Sequence, residues 1–383
     1  MRLQKREGNM RKIEMVDLKN QYLNIKDKID RKISKSLLTS QFIQGENVKK
    51  IERKIKEKLL CNNVISCGNG TDALLLSLLA MDLKKGDEVI IPSFTYGATV
   101  EVVAFLGYTP VLIDVDYSTF NINGNLVEEA LGSNTKIILP VHLYGQCAEM
   151  DSIIKVSKNI PIIEDVAQAF NAQYLLNNQW IYAGNIGNIG CTSFFPSKNL
   201  GCYGDGGALM VKDDEQAKKI KMLANHGQST RYIHDLIGIN SRLDEIQACI
   251  LIEKIKKIDD YTSKRQKAAT FYDNALKSIT ELILPYRNPK SNHVFHQYTL
   301  KVKNDKRDQL KEFLQKKGIP TKIYYPIPNH KQNAYKNIIK KTGDLKITEQ
   351  LCSEILSLPI HTELSKSQLN YICDQVITFF KVK

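Results

Sequence analysis

Along the first two-thirds of the chain, short apolar and β-branched runs alternate with stretches whose apolar positions recur at helical spacing. The runs Val64–Cys67, Glu88–Ile91, Val111–Val115, Lys136–Val141, Ile160–Glu164, Cys191–Phe195 and Ala208–Val211 read as strands. Asp72–Met81, Ala98–Phe105, Leu126–Leu131, Met150–Ser157 and Asp214–Ala224 read as helices between them. Strand then helix, repeated in this order, predicts a mostly parallel sheet with helices on both faces and right-handed crossovers. After about residue 243 the rhythm changes. Leu243–Ser278 reads as long helix, interrupted near Asp259 and Asp260. A strand at Gln297–Val302, a helix at Lys306–Lys317, a strand at Thr321–Tyr324 and helices at Glu349–Ser357 and Ser367–Phe380 follow. The expected division is an α/β unit over residues 1–258 and a smaller α+β unit over residues 259–383.

A chain of 383 residues is long for one simple core, so two units suit it. With 43% hydrophobic and 25% charged residues, the composition is that of a globular protein and excludes wholesale disorder. No apolar run approaches the roughly 20 residues that cross a bilayer, so no membrane insertion is expected. The opening MRLQKREGNMRKIEM lacks the apolar stretch of a secretory signal. Residues 1–12 are expected to form a flexible extension, with Met10 as an alternative start. The eight cysteines are scattered without C-x-x-C spacing, which fits thiols in a reducing cytoplasm and neither a zinc site nor a disulfide framework. Lysine and arginine number 54 against 41 acidic residues. They spread over helical stretches such as Lys49–Lys54, as on solvated helix faces, so no nucleic-acid partner is expected. The excess would still draw small anionic substrates.

Chemistry concentrates at strand ends. Thr192–Gly201 (TSFFPSKNLG) sets Lys198 just after a buried strand, in a turn held by Pro196 and glycines. Most lysines solvate surfaces; one facing a cleft would lose hydration, drop in pKa and become available for Schiff-base chemistry. Asp165 ends the apolar run Ile162-Ile163-Glu164, at the carboxyl edge of the sheet where α/β folds place ligands. It reads either as the partner of a protonated ring nitrogen or as the N-cap of a following helix. Gly68-Asn69-Gly70-Thr71-Asp72 stands between strand and helix, where backbone N–H groups favour phosphate, or serves only as a tight turn. Tyr96, in Pro92-Ser93-Phe94-Thr95-Tyr96, could stack on a flat ring or join the core. His142 could face the same cleft, although a satisfied buried histidine is the ordinary outcome. Arg231, His234 and Arg242 lie in later loops, with Asn240 just before a helix that Arg242 opens. They are candidates for anion recognition or for surface capping.

Taken in order, the segments GNGTDAL, PSFTY, PVHLYGQ, EDVAQAF, SFFPSKNLGCYGDGGA, NHGQ, GINSRLDEIQA and YYPIP resemble the DegT/DnrJ/EryC1/StrS sugar aminotransferases from about Val16 to the C-terminus. The resemblance implies the aspartate aminotransferase type fold (fold type I), with a seven-stranded large-domain sheet, and a homodimer with shared active sites. It implies pyridoxal 5'-phosphate as cofactor, passing through the pyridoxamine form. Lys198 then corresponds to the Schiff-base lysine, Asp165 to the partner of the ring nitrogen, Gln168 to the residue at the ring hydroxyl and Tyr96 to the stacking aromatic. Gly70, Thr71, the backbone of Asp72 and Ser193 correspond to phosphate positions, and Asn240 to a residue reaching the partner subunit's cofactor. A lysine at 198, where the family's dehydratases have histidine, implies transamination. Tyr324 stands where histidine is common, and Asn171 where glycine is usual; the latter reads as a local turn adjustment.

Within the family, the opening VDLKNQYLNIKDKID and the stretch HGQSTRYIHDLIGINSRLDEIQA look most like enzymes acting on UDP-2-acetamido-2-deoxy-3-oxo-glucuronate. The implied reaction moves an amino group from L-glutamate to the sugar ketone, with Arg231, His234, Arg242 and Tyr324 as candidate substrate residues. The alternatives are a dTDP-linked 3-keto- or 4-keto-6-deoxyhexose as acceptor and, in a different class, a regulatory protein on the same fold.

Overall fold

The computed structural model describes residues 11–381. Seven strands form its large sheet, in the spatial order Asn63–Cys67, Gly207–Val211, Ile189–Ser193, Ile163–Asp165, Thr135–Ile138, Glu88–Pro92 and Thr109–Ile113. Two four-stranded ladders meet at its centre through single parallel bridges, Ile138 to Ile162 and Val141 to Asp165. The two-residue strand Lys340–Lys341 adds an eighth, parallel edge. Only Gly207–Val211 runs antiparallel to both of its neighbours; Asn63–Cys67, on the opposite edge, pairs with it alone. The strand runs are almost wholly buried, as a sheet covered on both faces requires. The helices Gly70–Leu79, Ala98–Phe105, Glu46–Leu59 and Asp214–Leu223 pack beside it.

A second, antiparallel sheet pairs Leu282–Ile283, Tyr298–Val302 and Ile355–Leu358. It packs with the helices Ile258–Leu276, Arg307–Lys316 and Lys366–Lys381 around its own apolar cluster. The larger cluster draws mainly on residues 48–258 but also takes Val294, Leu345, Leu351, Cys352 and Ile355. Of the expected extension, residues 1–10 lie outside the described residues. The carbonyls of Arg11 and Lys12 accept from Gln368 Nε2 at 3.1 and 3.3 Å.

Several expectations are corrected. Thr321–Tyr324 is no strand; it makes one bridge, Lys322 to Ser357. The helix expected at Glu349–Ser357 runs from Lys346 to Glu354, and Ile355–Leu358 then pairs with Tyr298–Val302, an apolar run that sheet burial claimed over helix. The helical break falls at Lys256–Lys257. Asp259 and Asp260 instead sit in the next helix's first turn, where the dipole favours them. Arg242 does not open the helix, which begins at Glu245. The hairpin Gln173–Leu176/Gln179–Tyr182 was unforeseen; its turn residues Asn177 and Asn178 have φ of 49° and 62°, the geometry of a two-residue primed turn.

One buried group ties the centre together. Glu164 accepts from His142 Nε2 at 2.8 Å and from the N–H groups of Gly184 (2.9 Å), Ile186 (2.8 Å) and Gly187 (2.6 Å). His142 Nδ1 accepts from Ala148 N–H at 3.0 Å, so the proton is on Nε2 and the histidine is satisfied and buried. Gly184 has φ +92° and lies so close to Gly190 that a Cβ on the latter would meet its Cα at 2.3 Å. Burial alone would raise the Glu164 pKa, but the bonds from His142 and the backbone outweigh it and hold it below the ordinary value. Its stabilising effect is therefore present above the unfolded-state pKa of about 4.3 and lost as pH falls through the lower folded value. We expect Glu164→Leu, which leaves four buried donors without an acceptor, to cost on the order of 4 kcal/mol in urea denaturation at neutral pH.

Candidate active site

The carboxyl ends of the central strands carry the site. Period-two alternation turns Asp165 away from the side that Glu164 serves. Asp165 is buried; its Oδ1 accepts from Ala167 N–H at 3.0 Å and its Oδ2 from Thr99 Oγ1 at 3.2 Å. No helix follows it, so the N-cap alternative is gone; the residue closes a turn instead. Desolvation raises its pKa against the pull of Ala167 N–H and Lys198.

Lys198 sits at the tip of a loop that returns on itself. Phe194 N–H donates to Gly206 O at 2.7 Å, Cys202 N–H to Phe194 O at 2.8 Å and Lys198 N–H to Phe195 O at 2.8 Å. Asn199 Nδ2 donates to Val294 O at 3.2 Å, fastening the loop to a distant segment. The Lys198 side chain is half-buried, and desolvation brings its pKa down to about 8, with Asp165 pulling the other way. An amine near neutrality, facing a carboxylate in a water-poor site, has the properties of a nucleophile and proton carrier.

The helix Gly70–Leu79 starts beside this pair. Asn69 Oδ1 caps it by accepting from Asp72 N–H at 2.8 Å, so the N–H groups still open in the first turn are those of Gly70 and Thr71. A Cβ on Gly70 would meet Ser193 Cβ at 2.6 Å, which is why glycine stands there and how Ser193 comes to lie against the helix start. Asp72 Oδ2 accepts from Ser241 Oγ at 2.6 Å, and Gly68 N–H donates to the same hydroxyl at 2.9 Å. Gln168 accepts from Tyr144 N–H at 2.8 Å and donates to Tyr325 at 3.0 Å. Tyr96 is 61% exposed, with its ring centroid 5.9 Å from that of Tyr325.

This geometry fits a flat, phosphorylated, cationic heterocycle. The Asp165 oxygens each hold one donor and retain lone pairs, an aromatic face is open, and helix N–H groups await an anion. The structure thus brings together Lys198, Asp165, Gln168, Gly70, Thr71, Asp72, Ser193 and Tyr96. Tyr324 lines the same side and accepts at its carbonyl from the Tyr144 hydroxyl. Arg231 and His234 do not join them within the chain. They project on the exposed hairpin Gln228–His234, where Arg231 donates to Tyr232 at 3.0 Å and His234 contacts His226 O at 2.8 Å. Asn240 is exposed, its backbone bridged to Asn225; Arg242 is half-buried near Gly68. Asn171 has φ +71°, a left-handed turn residue.

Sequence reasoning missed Thr99, Tyr144, Tyr325 and a clasp behind them. Ser93 Oγ lies 2.7 Å from His330 Nδ1, and His330 Nε2 lies 3.0 Å from Glu349. Asn329 Nδ2 donates to Thr95 O at 2.9 Å. The one advance signal was the polar Asn329-His330 pair after Pro326 and Pro328.

Reductive alkylation with a small aldehyde, followed by mass spectrometry, should label Lys198 ahead of other lysines, with its rate rising through about pH 8. Because Asp165 raises the Lys198 pKa, Asp165→Asn should move that midpoint lower. An unmoved midpoint would mean that the two groups do not interact.

The model of the DegT/DnrJ/EryC1/StrS aminotransferase family matches residues 23–377. A UDP-2-acetamido-2-deoxy-3-oxo-D-glucuronate aminotransferase of Pseudomonas aeruginosa is 42% identical over 363 residues, 94% of this chain and 98% of its own length. A pleiotropic regulatory protein of Geobacillus stearothermophilus is 41% identical, over 96% of this chain and 99% of its own. The crystal structure of S. venezuelae DesV in complex with ketimine intermediate has a TM-score of 0.93 at 33% identity, covering 98% of this chain and 100% of that one. The chain, with fold type I architecture and a lysine–aspartate pair at the heart of its sheet, belongs to the DegT/DnrJ/EryC1/StrS aminotransferase family.

Proposed function

We propose that the protein transfers an amino group from L-glutamate to the 3-keto group of UDP-2-acetamido-2-deoxy-3-oxo-D-glucuronate, in the cytoplasm, for amino-sugar and surface-glycan synthesis such as lipopolysaccharide O-antigen. The observation that carries this reading is Lys198, brought to about pKa 8 beside buried Asp165. The identity and coverage shared with the glucuronate aminotransferase favour that sugar. Pyridoxal phosphate, the cofactor of this family, supplies an electron sink for charge at the reacting carbon.

In this reading Lys198 Nζ would hold the cofactor and, as a free amine, would carry the proton that moves at the reacting carbon. A lysine near neutrality serves both directions. Asp165 would keep a ring nitrogen protonated, Gln168 would donate to a ring oxygen and Tyr96 would offer an aromatic face. The Gly70 and Thr71 N–H groups and the Thr71 and Ser193 side chains would hold the phosphate at the helix start, whereas the Asp72 N–H, expected there too, is taken by Asn69. Arg242 would offer a cationic contact to the carboxylate or diphosphate, Arg231 and His234 could do so only across a subunit interface, and Tyr324 would border the sugar. The boundary near residue 258 would separate the cofactor-binding unit from the smaller one, in keeping with the two apolar clusters.

The same reading makes the working unit a homodimer in which Asn240 completes the neighbour's phosphate site. Its exposure supports this, as do the exposed Phe195, Tyr232, Ile233 and Ile237.

Lys198→Ala should abolish formation of 2-oxoglutarate from L-glutamate and the UDP-keto-sugar while leaving the fold intact. Asp165→Asn should cost at least about tenfold, or about 1.4 kcal/mol of barrier. Turnover surviving in Lys198→Ala would take the chemistry away from Lys198, and a wild-type protein that turns over no keto-sugar would favour a regulatory role. Amination of dTDP-keto-sugars alone would transfer the assignment to them. For the dimer, mixing inactive Lys198→Ala chains with inactive Asn240→Glu chains should restore activity, since one hybrid site keeps both native residues. A fully active monomer on a sizing column would refute the shared site.

A further inference from the structure

Gln168 is held at both ends of its amide, and the two holders are not equivalent. Oε1 accepts from the backbone N–H of Tyr144 at 2.8 Å, and Nε2 donates to the Tyr325 hydroxyl at 3.0 Å. A backbone N–H can only donate, so Oε1 must face it; the flipped amide would set donor against donor. Tyr325, whose hydroxyl can donate or accept, is left to accept. One Nε2 hydrogen is thereby engaged and the other is free for a ligand.

Both holders are themselves fixed. Tyr144 packs its ring against Phe120 and Phe94 at 5.1 and 6.5 Å, and its carbonyl accepts from Gln297 N–H at 3.3 Å. Tyr325 rides on the segment that Asn329 and His330 fasten to Ser93 and Thr95. Burial raises the Tyr325 pKa, against the hydrogen bond from Gln168, so the phenol keeps its proton at neutral pH.

We propose that Tyr325 is a positioning residue that holds the free Nε2–H of Gln168 toward the cofactor's ring oxygen and so sets the protonation of the bound cofactor. The proposal rests on the aminotransferase reading, with Gln168 at that oxygen. A donor there stabilises the oxygen as an anion and weakens its hold on the proton shared with the lysine-linked nitrogen. Gln168 therefore lowers the pKa at which the bound cofactor's visible band titrates, and a misaimed amide loses part of that effect.

The experiment is a spectrophotometric pH titration of the holoprotein and of Gln168→Leu, Tyr325→Phe and the double variant. Gln168→Leu should raise the midpoint by about half to one pH unit, on the scale of one neutral hydrogen bond. Tyr325→Phe should raise it by less, and the double variant should match Gln168→Leu alone, because Tyr325 acts only through the amide. Tyr325→Leu, which also lacks an acceptor, should repeat the Phe result and serves if the Phe variant folds poorly. An unchanged midpoint in both Tyr325 variants, or additive shifts in the double, would overturn the positioning role while leaving the enzyme's function standing. A wild-type protein that forms no band dependent on Lys198 would instead overturn the functional reading, and this proposal with it.

Discussion

A carboxylate sealed from water persists only if the protein around it supplies its hydrogen bonds, and Glu164 imposes that demand at the centre of the sheet. Four donors converge on its two oxygens, from His142 and from the turn containing Gly184, Ile186 and Gly187. Meeting the demand fixes the turn after the neighbouring strand and the approach of the hairpin that precedes Ile189. It also locks the short strand Ile163–Asp165 in register between its neighbours. A one-residue slip would exchange the faces of Glu164 and Asp165. One acid would then lose its donors and the other would be driven into the core. The polar centre that stabilises the fold thus also aims the acid that serves the site.

Asp165 and Lys198 illustrate the opposite use of burial. Neither is saturated by the protein, so desolvation moves their pKa values toward each other, the acid up and the amine down. Their mutual attraction limits the movement without cancelling it. The result is a pair that changes protonation readily when a ligand brings charge between them, which a fully paired salt bridge would resist.

What could be read in advance follows the distance over which each feature is encoded. The central strands, the loop of Lys198 and the strand end of Asp165 are set by neighbours in sequence, and they lie where the pattern placed them within a few residues. The switch from helix to strand at Ile355 was hidden because its pairing partner is the remote Tyr298–Val302. Thr99 meets Asp165 across 66 residues, Gln168 meets Tyr325 across 157 and Ser93 meets His330 across 237. No local spacing announces such pairs. The N-cap alternative at Asp165 failed for a local reason instead, since its carboxylate takes the Ala167 N–H two residues on and closes a turn.

Rigid and adaptable parts of the chain divide along the same line. Lys198, Asp165, Gln168 and the start of the helix Gly70–Leu79 are carried by strand ends and held by buried bonds, as groups that must meet one cofactor geometry need to be. Arg231, His234 and Asn240 instead stand exposed on a hairpin and a loop, where sequence can change without disturbing the sheet. The segment Tyr324–His330 belongs to both parts: its far end is fastened to Ser93 and Thr95, while its near end presents Tyr324 and Tyr325 to the cleft. On the proposed reading, a change of acceptor sugar would act first on the hairpin and on Tyr324. The clasp at His330 would keep Tyr325, and with it the amide of Gln168, insulated from that change.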